Sequence, residues 1–337
     1  MNLLNHQGTF IDHKDGTLKG VFDLDGKIIE TTLIVNKSEQ DVDVFCVPTH
    51  HYCNLGCKFC HLTAKGIDKG MVPIEQEALL ESIVRMGRVG ADATQERRTA
   101  NRACLLSFMG VGDPLLNLKL LYDIALAEGR LREAGDYTKV GYALSTMVPN
   151  HNLPRLQEQV IKRQLPLKVH LSLHSPFSAD RRALLPKTRV DVEEALTALS
   201  DYRDATRDLD FMQAGLQGFH TALDPAEIHY TLIAGVNDSE RHKQELIRLL
   251  DKYSLSLKLL QFNPLNEMRR SKEEEAWVRD LQAALPSLRI VLYDPPGHAV
   301  GSSCGEFTKH YYLSELEDEK DRREFEDWKR EHQIEWP

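Results

Sequence analysis

The chain contains no apolar run approaching the roughly 18 residues that cross a bilayer. Its start, Met1-Asn-Leu-Leu-Asn-His-Gln-Gly, lacks the basic then apolar pattern of a signal peptide. A cytoplasmic protein with no membrane partner is therefore expected. The cysteine density of a secreted disulfide scaffold is also missing: the 337 residues hold six cysteines, three of them clustered, which suits a reducing compartment. Nor is there a basic excess, since 42 Lys and Arg face 51 Asp and Glu for a net charge of -9. That balance argues against indiscriminate nucleic-acid binding and leaves room only for a local basic face. No internal repeat or low-complexity block is present. Much of the acidity lies from Ser314 onward, where both signs mix at helical spacing and predict a solvated terminal helix.

What is present is alternation. Apolar, β-branched runs near 42–48, 103–110, 138–146, 166–173, 227–233, 256–262 and 287–293 predict strands, and helical periodicity occupies 74–86, 115–131, 153–163, 192–202, 240–253 and 272–285. This α/β order predicts about six strand–helix units of a partial, TIM-like barrel, with functional groups at the C-terminal ends of the strands. Before them, Gly20 to Val35 predicts a β-hairpin turning at Asp25-Gly26. Three parts follow: a β extension over 1–40, the barrel over 41–312 and a charged helix over 313–337. The stretch 206–222 reads as an inserted loop, and the connection from Gly90 to Arg102 carries Arg97, Arg98 and Arg102.

The first strand is followed by Cys53-Asn-Leu-Gly-Cys57-Lys-Phe-Cys60. Three thiolates at CxxxCxxC spacing can hold three irons of a 4Fe-4S cluster and leave the fourth open. A structural zinc site usually takes four protein ligands, commonly as two pairs, and no second CxxC occurs. With Phe59 just before the last cysteine, the run resembles the signature of the radical S-adenosylmethionine (SAM) enzymes. The resemblance implies that SAM chelates the open iron and is cleaved to a 5'-deoxyadenosyl radical that abstracts hydrogen. It also implies a reducing partner such as flavodoxin or ferredoxin.

Cys46 precedes Cys53 by seven residues, and Cys304 stands in Gly301-Ser-Ser-Cys-Gly-Glu-Phe. By themselves they read equally as two buried structural thiols. Around them, Phe108-Met-Gly-Val-Gly-Asp-Pro-Leu-Leu-Asn117, Leu144-Ser-Thr146, Ser172-Leu-His174, Gly235-Val-Asn-Asp238, Phe262-Asn-Pro264 and Ser303-Cys-Gly305 come in an order that resembles the RlmN/Cfr-type radical SAM methylases. The resemblance makes Cys304 the methyl carrier, and Cys46 the resolving thiol that takes a proton from the adduct and forms a transient disulfide with Cys304. Glu39 falls at the place of the proposed proton acceptor, although Ser38-Glu-Gln-Asp41 could equally be a solvated loop. Gly112 and Asp113 would receive the SAM amino group, with Asp113 shorter than the usual glutamate. Ser145, Ser172, Leu173, His174 and Asn263 would line the adenosyl and ribose groups beside Phe59. The implied product is C-methyladenosine in rRNA or tRNA, with carbon 2 of adenine leading.

Two departures bear on that substrate. About 14 residues precede Asp15-Gly-Thr-Leu-Lys19, where the resemblance starts, which leaves no room for the family's N-terminal RNA-binding domain, and the basic stretch before the methyl carrier is replaced by Tyr293-Asp-Pro-Pro-Gly-His-Ala-Val300. Lost phosphate contacts weaken RNA binding. Arg97, Arg98 and Arg102, or Arg181, Arg182, Lys187 and Arg189, could compensate. A small molecule, nucleotide or peptide substrate for the same mechanism stays open, as does an idle iron-sulfur or RNA-binding relative.

Overall fold

The apolar runs become strands where the alternation predicts them, in a computed structural model that describes residues 4–35, 42–64, 70–93, 102–219, 224–265, 267–301 and 319–335. In chain order the strands are β1 (Asn5–Ile11), β2 (Leu18–Leu24), β3 (Lys27–Val35), β4 (Val42–Cys46), β5 (Ala103–Phe108), β6 (Lys139–Thr146), β7 (Leu167–Ser172), β8 (Ala226–Thr231), β9 (Ser256–Leu260), β10 (Ile290–Tyr293) and β11 (Gln333–Ile334). Two compact units form, one from Met1–Asn54, His61–Gly141 and Pro296–Pro337, the other from Leu55–Cys60 and Tyr142–Pro295.

In the first unit the order is β11-β1-β2-β3-β4-β5, antiparallel up to β4 and parallel between β4 and β5. The hairpin turns where predicted, with φ of 55° at Asp25 and 77° at Gly26. Leu18, Leu33, Phe45 and Leu106 are register partners across four strands, so they share one face and are buried on it. The helix Gln76–Ala93 covers that face: Met86 packs where Gly20 has no side chain, and Ser82 meets Thr31 at 2.8 Å. On the other face Phe10, Val21, Ile28 and Val300 form a buried cluster against Phe325 and Trp328 of the helix Glu319–His332. Strand β1 escaped the sequence pattern because Asn5, His6 and Gln7 show no apolar alternation. It is held instead by pairing with β2 and by burial of Phe10.

In the second unit β6 to β10 run parallel in sequence order. The helices Leu153–Arg163, Val192–Thr206, Glu240–Tyr253 and Glu274–Ala284 bury residues three and four apart, such as Leu156 with Val160 and Leu246 with Leu249 and Leu250. The stretch expected as an inserted loop contains the helix Asp210–Leu216, whose Met212 and Leu216 are buried. Gly215 obscured it: the glycine lowers helix propensity, yet it is there because any Cβ would run into Pro166.

Lys168, His170 and Ser172 alternate with Leu167, Val169 and Leu171, which places a polar set on one side of β7. Glu227 of β8 is the counter-ion of that interior. Its carboxylate lies 3.7 Å from Lys168, 3.3 Å from His170, 3.4 Å from Lys258 and 2.7 Å from Arg289. Burial works to raise the carboxyl, but His170 and the two lysines outweigh it and hold the group well below the usual carboxylate range. His170, Glu227 and His229 also bring three ligand atoms within 4.8 Å of one another. Three cations already surround the one carboxylate, however, and at an effective dielectric of about 20 each would repel a dication by several kcal/mol at such distances. The cluster is an ion-pair network rather than a metal centre. Glu227→Gln should leave Lys168, 2 % exposed, without its charge partner and lower the unfolding free energy by about 3–5 kcal/mol in urea titration. A loss under about 1 kcal/mol would show that the network does not hold the unit.

Candidate active site

The first unit's part of the site grows from the ends of β4 and β5. Val47 N–H donates to Ser107 O, Gly110 N–H to Val47 O and Thr49 N–H to Val111 O, so the two following loops run side by side. Glycine is needed at the two closest approaches. A Cβ at Gly110 would lie 2.7 Å from Pro48 N, and one at Gly112, where φ is 100°, would lie 2.3 Å from His50 Nδ1. Asp113 is buried and accepts from Leu115 N–H at 2.9 Å, capping the short turn Pro114–Leu116, while Asn117 Nδ2 donates to Thr49 O at 2.9 Å. His51 donates from Nδ1 to Ile28 O at 3.1 Å and Tyr52 from its hydroxyl to Gly26 O at 3.2 Å, tying the loop that leads to Cys53 onto the hairpin.

The second unit brings together the rest of the cysteine loop and the ends of β6, β7 and β8. Cys57 Sγ lies 3.8 Å from Met147 Sδ, Lys58 N–H donates to Leu184 O at 2.9 Å, and Cys60 N–H closes a turn on Cys57 O at 3.1 Å. The Phe59 ring stands edge-on to His174 with centroids 4.7 Å apart. Ser145 and Ser172 hydroxyls meet at 3.0 Å. His174 is held at φ 55° by three bonds around one amide: its Nδ1 accepts from Thr231 N–H at 3.1 Å, and Asn237 Nδ2 donates to both His174 O and Thr231 O. Leu173 is fully buried, so only its backbone takes part, donating to His229 O and accepting from Arg181. Asn263 lies half-buried in the loop after β9.

Arg181 organises these ends. Its guanidinium is 1 % exposed and donates to Leu173 O, Thr188 Oγ1, Val190 O, Met147 O and Ser172 O. It is therefore not a surface cation for phosphates, and neither is Arg102, buried against Asp43 and Tyr137. Arg97, Arg98, Glu39 and Cys304 lie outside the described residues. Cys53, Cys57 and Cys60 are all half-buried, and Cys46 is too. The expected disulfide is not found: none of the five described cysteines is bridged, so Cys46 is a thiol. Cys104 is core, as its strand position predicts. Cys53, Cys57 and Cys60 share one loop and are unbridged, but among the described residues their sulfurs do not form a group with all ligand atoms within 4.8 Å of one another.

Comparison with known proteins agrees with this layout. No family model matches the chain. A probable dual-specificity RNA methyltransferase RlmN of Desulforamulus reducens is 26% identical over 310 residues, covering 89% of this chain and 77% of the relative. A dual-specificity RNA methyltransferase RlmN of Solidesulfovibrio magneticus is 28% identical over 307 residues, covering 88% and 76%. Among solved structures, a radical SAM methyltransferase from Sphaerobacter thermophilus superposes with a TM-score of 0.71 at 23% identity, covering 90% of this chain and 80% of that one, a likeness of fold. The chain is similar to RlmN-type RNA methyltransferases over most of its length and shares the fold of a radical SAM methyltransferase. Its fold is the partial, open barrel of such enzymes, extended by the antiparallel strands β1–β3.

Several groups that shape this site carried no signal in the sequence. His50 looked like any of the 14 histidines, yet burial and then His51 lower it to about 4. Arg181 looked like one of a surface pair. His174 falls to about 3 and His170 to about 4, burial being the main cause in both, and burial also holds His229 well below its ordinary value. Unfolded histidines take up protons near pH 6.5, so these four contribute stability in full above about pH 7 and lose it as pH falls toward 4. Urea titration should give a level unfolding free energy from pH 7 to 8, then a loss of roughly 1 kcal/mol per neutral histidine by pH 5.5. A profile flat down to pH 5 would contradict the buried neutral imidazoles.

Proposed function

We propose that this enzyme is a radical SAM C-methylase that moves a one-carbon unit through Cys304 to an sp2 carbon, with carbon 2 of adenine in rRNA or tRNA as its target. The observation that carries the reading is a second, separate thiol: Cys46 ends β4, apart from the cysteines of the CxxxCxxC loop, in a half-buried position on the same sheet face as Lys19 and Glu30. A carrier step gives it a role as the thiol that resolves the adduct on Cys304. The RNA target rests on the names of the relatives, which are RNA methyltransferases.

Cys53, Cys57 and Cys60 would hold a 4Fe-4S cluster that, with SAM bound and an electron from a small reducing protein such as a flavodoxin or ferredoxin, supplies hydrogen-atom abstraction. Gly112 lets the SAM amino group approach, and the Asp113 carboxylate accepts from it. Ser145, Ser172, His174 and Asn263 orient the adenosyl and ribose groups, with Phe59 against His174 closing one side. His174, neutral at working pH, donates from Nε2 because its Nδ1 already accepts from Thr231. Cys304 attacks a methyl group as a thiolate. Once the carbon is joined to the target, Cys46 takes the proton whose loss starts release. Glu39 is the acceptor that the resemblance supplies, whereas the carboxylate that stands near Cys46 among the described residues is Glu30.

The same mechanism on a small molecule, nucleotide or peptide is the second reading, favoured by the burial of Arg102 and Arg181, two of the cations that could have met phosphates. Anaerobic reconstitution should load about four irons with labile sulfide per chain, and a single zinc without sulfide would sink the cluster. Cys46→Ala protein made in cells should then accumulate a crosslink at Cys304. Attached RNA supports the leading reading, an attached small molecule or peptide supports the second, and full turnover with no adduct rules out both.

A further inference from the structure

Four strands of the first unit present one polar row. Lys19 of β2 is the register partner of Thr32, Thr32 that of Cys46, and Cys46 that of Ser107. Register partners project from the same face, so Lys19 and Cys46 stand on one side of the sheet, two strand spacings or roughly 10 Å of backbone apart. That side is opposite the helix Gln76–Ala93. Lys19, Thr32 and Ser107 are almost fully buried, and Cys46 is the most open member.

Lys19 reaches both a carboxylate and a carbonyl there. Its ammonium pairs with Glu30 at 3.1 Å and donates to Gly301 O. Gly301 ends a segment that the same unit grips repeatedly: Asp15 accepts from Gly297 N–H at 2.7 Å, Asp12 from Ala299 N–H at 3.0 Å, and Trp328 donates to Ala299 O at 2.9 Å. Three residues beyond Gly301 the chain reaches Cys304. A buried lysine–carboxylate pair adds little stability over an apolar pair of the same volume, so packing alone does not account for a lysine at this place.

We propose that Lys19 is a positioning residue for the thiol chemistry: it fixes a positive charge in the row of Cys46 and ties down, through Gly301, the segment that leads to Cys304. The inference rests on the methyl-carrier reading given above. Burial pushes the Cys46 thiol up to about 11. Lys19 on β2 acts against that rise, Glu30 on β3 adds to it, and a backbone hydrogen bond at Met109, after β5, lowers it. Thr32 and Ser107, the other side chains of the row, carry no charge. Lys19 thus sets how readily Cys46 gives up its proton, and Glu30 tempers that effect.

The test reads Cys46 itself. Full-length, cluster-free protein kept anaerobic and reduced is treated with iodoacetamide from pH 7 to 10, and alkylation of Cys46 is followed by site-resolved mass mapping. Lys19→Met should slow Cys46 at pH 9 by roughly tenfold or more, the effect of one unit charge at this separation. Glu30→Gln should speed it by a similar factor, and Lys19→Arg should stay near the parent. If Lys19→Met does not fold, the double variant Lys19→Met/Glu30→Gln is compared with Glu30→Gln alone, and the same slowing is expected. Equal Cys46 rates in folded parent, lysine and glutamate variants would overturn the proposal, as would slowing by both substitutions. No turnover is read, so a wrong substrate leaves this result standing. An absent adduct in Cys46→Ala protein, in turn, removes the methylase reading without touching the alkylation rates.

Discussion

The arrangement of the second unit depends on one guanidinium. Arg181 sits on a short helix, Ser178–Leu184, and reaches back to carbonyls of Met147, Ser172 and Leu173 at the ends of β6 and β7 while also bonding Thr188 and Val190 in the loop beyond. Strand ends leave carbonyls without ladder partners, and buried ones are costly unless met by a donor. Five donors in a rigid fork meet them together. The placement of Ser145, Ser172, His174 and Met147, and through Met147 of Cys57, follows from that satisfaction. Lysine, with a point charge on a flexible stem, has no equivalent geometry.

The two units solve the same problem with different chemistry. Each has strands with an apolar side under helices and a polar side that must be satisfied internally. In the second unit one carboxylate, Glu227, gathers Lys168, Lys258 and Arg289. In the first, Lys19 pairs with Glu30, and Thr32, a thiol and Ser107 continue the row that Lys19 begins. Such polar interiors specify which face of a strand points where, because a shift by one residue would bury these charges under the helices.

Strand and helix positions along the parallel repeats were legible because alternation and helical periodicity report burial on one side, the same quantity that selects the fold. The CxxxCxxC loop was legible because its spacing is local. What the sequence hid is nonlocal: that Lys19, Thr32 and Cys46 share a row is set by the register of three strands, and no window of sequence contains it. Arg102 and Arg181 read as available cations because a basic residue in a loop gives no sign of being buried. Asn237 lay in a recognised motif, but its clamp on His174 and Thr231 appears only when β7 and β8 are side by side. The strand β1 and the helix Asp210–Leu216 were missed where polar residues or glycine interrupt the pattern.

The first strand has a further importance. A sheet edge offers a row of free backbone donors and acceptors to any passing chain, and proteins that remain dispersed must blunt it. Here the outer strand β1 is interrupted by a bulge between His6 and Gly8, and its Thr9 and Phe10 are paired with the two residues of β11. The helix Glu319–His332 delivers β11 to that edge and lays Trp328 against Phe10 with ring centroids 5.1 Å apart. The charged C-terminal helix is therefore a strap over this flank of the sheet, where copies of this chain could otherwise zip together, and its exposed charges face the solvent from which such copies would approach.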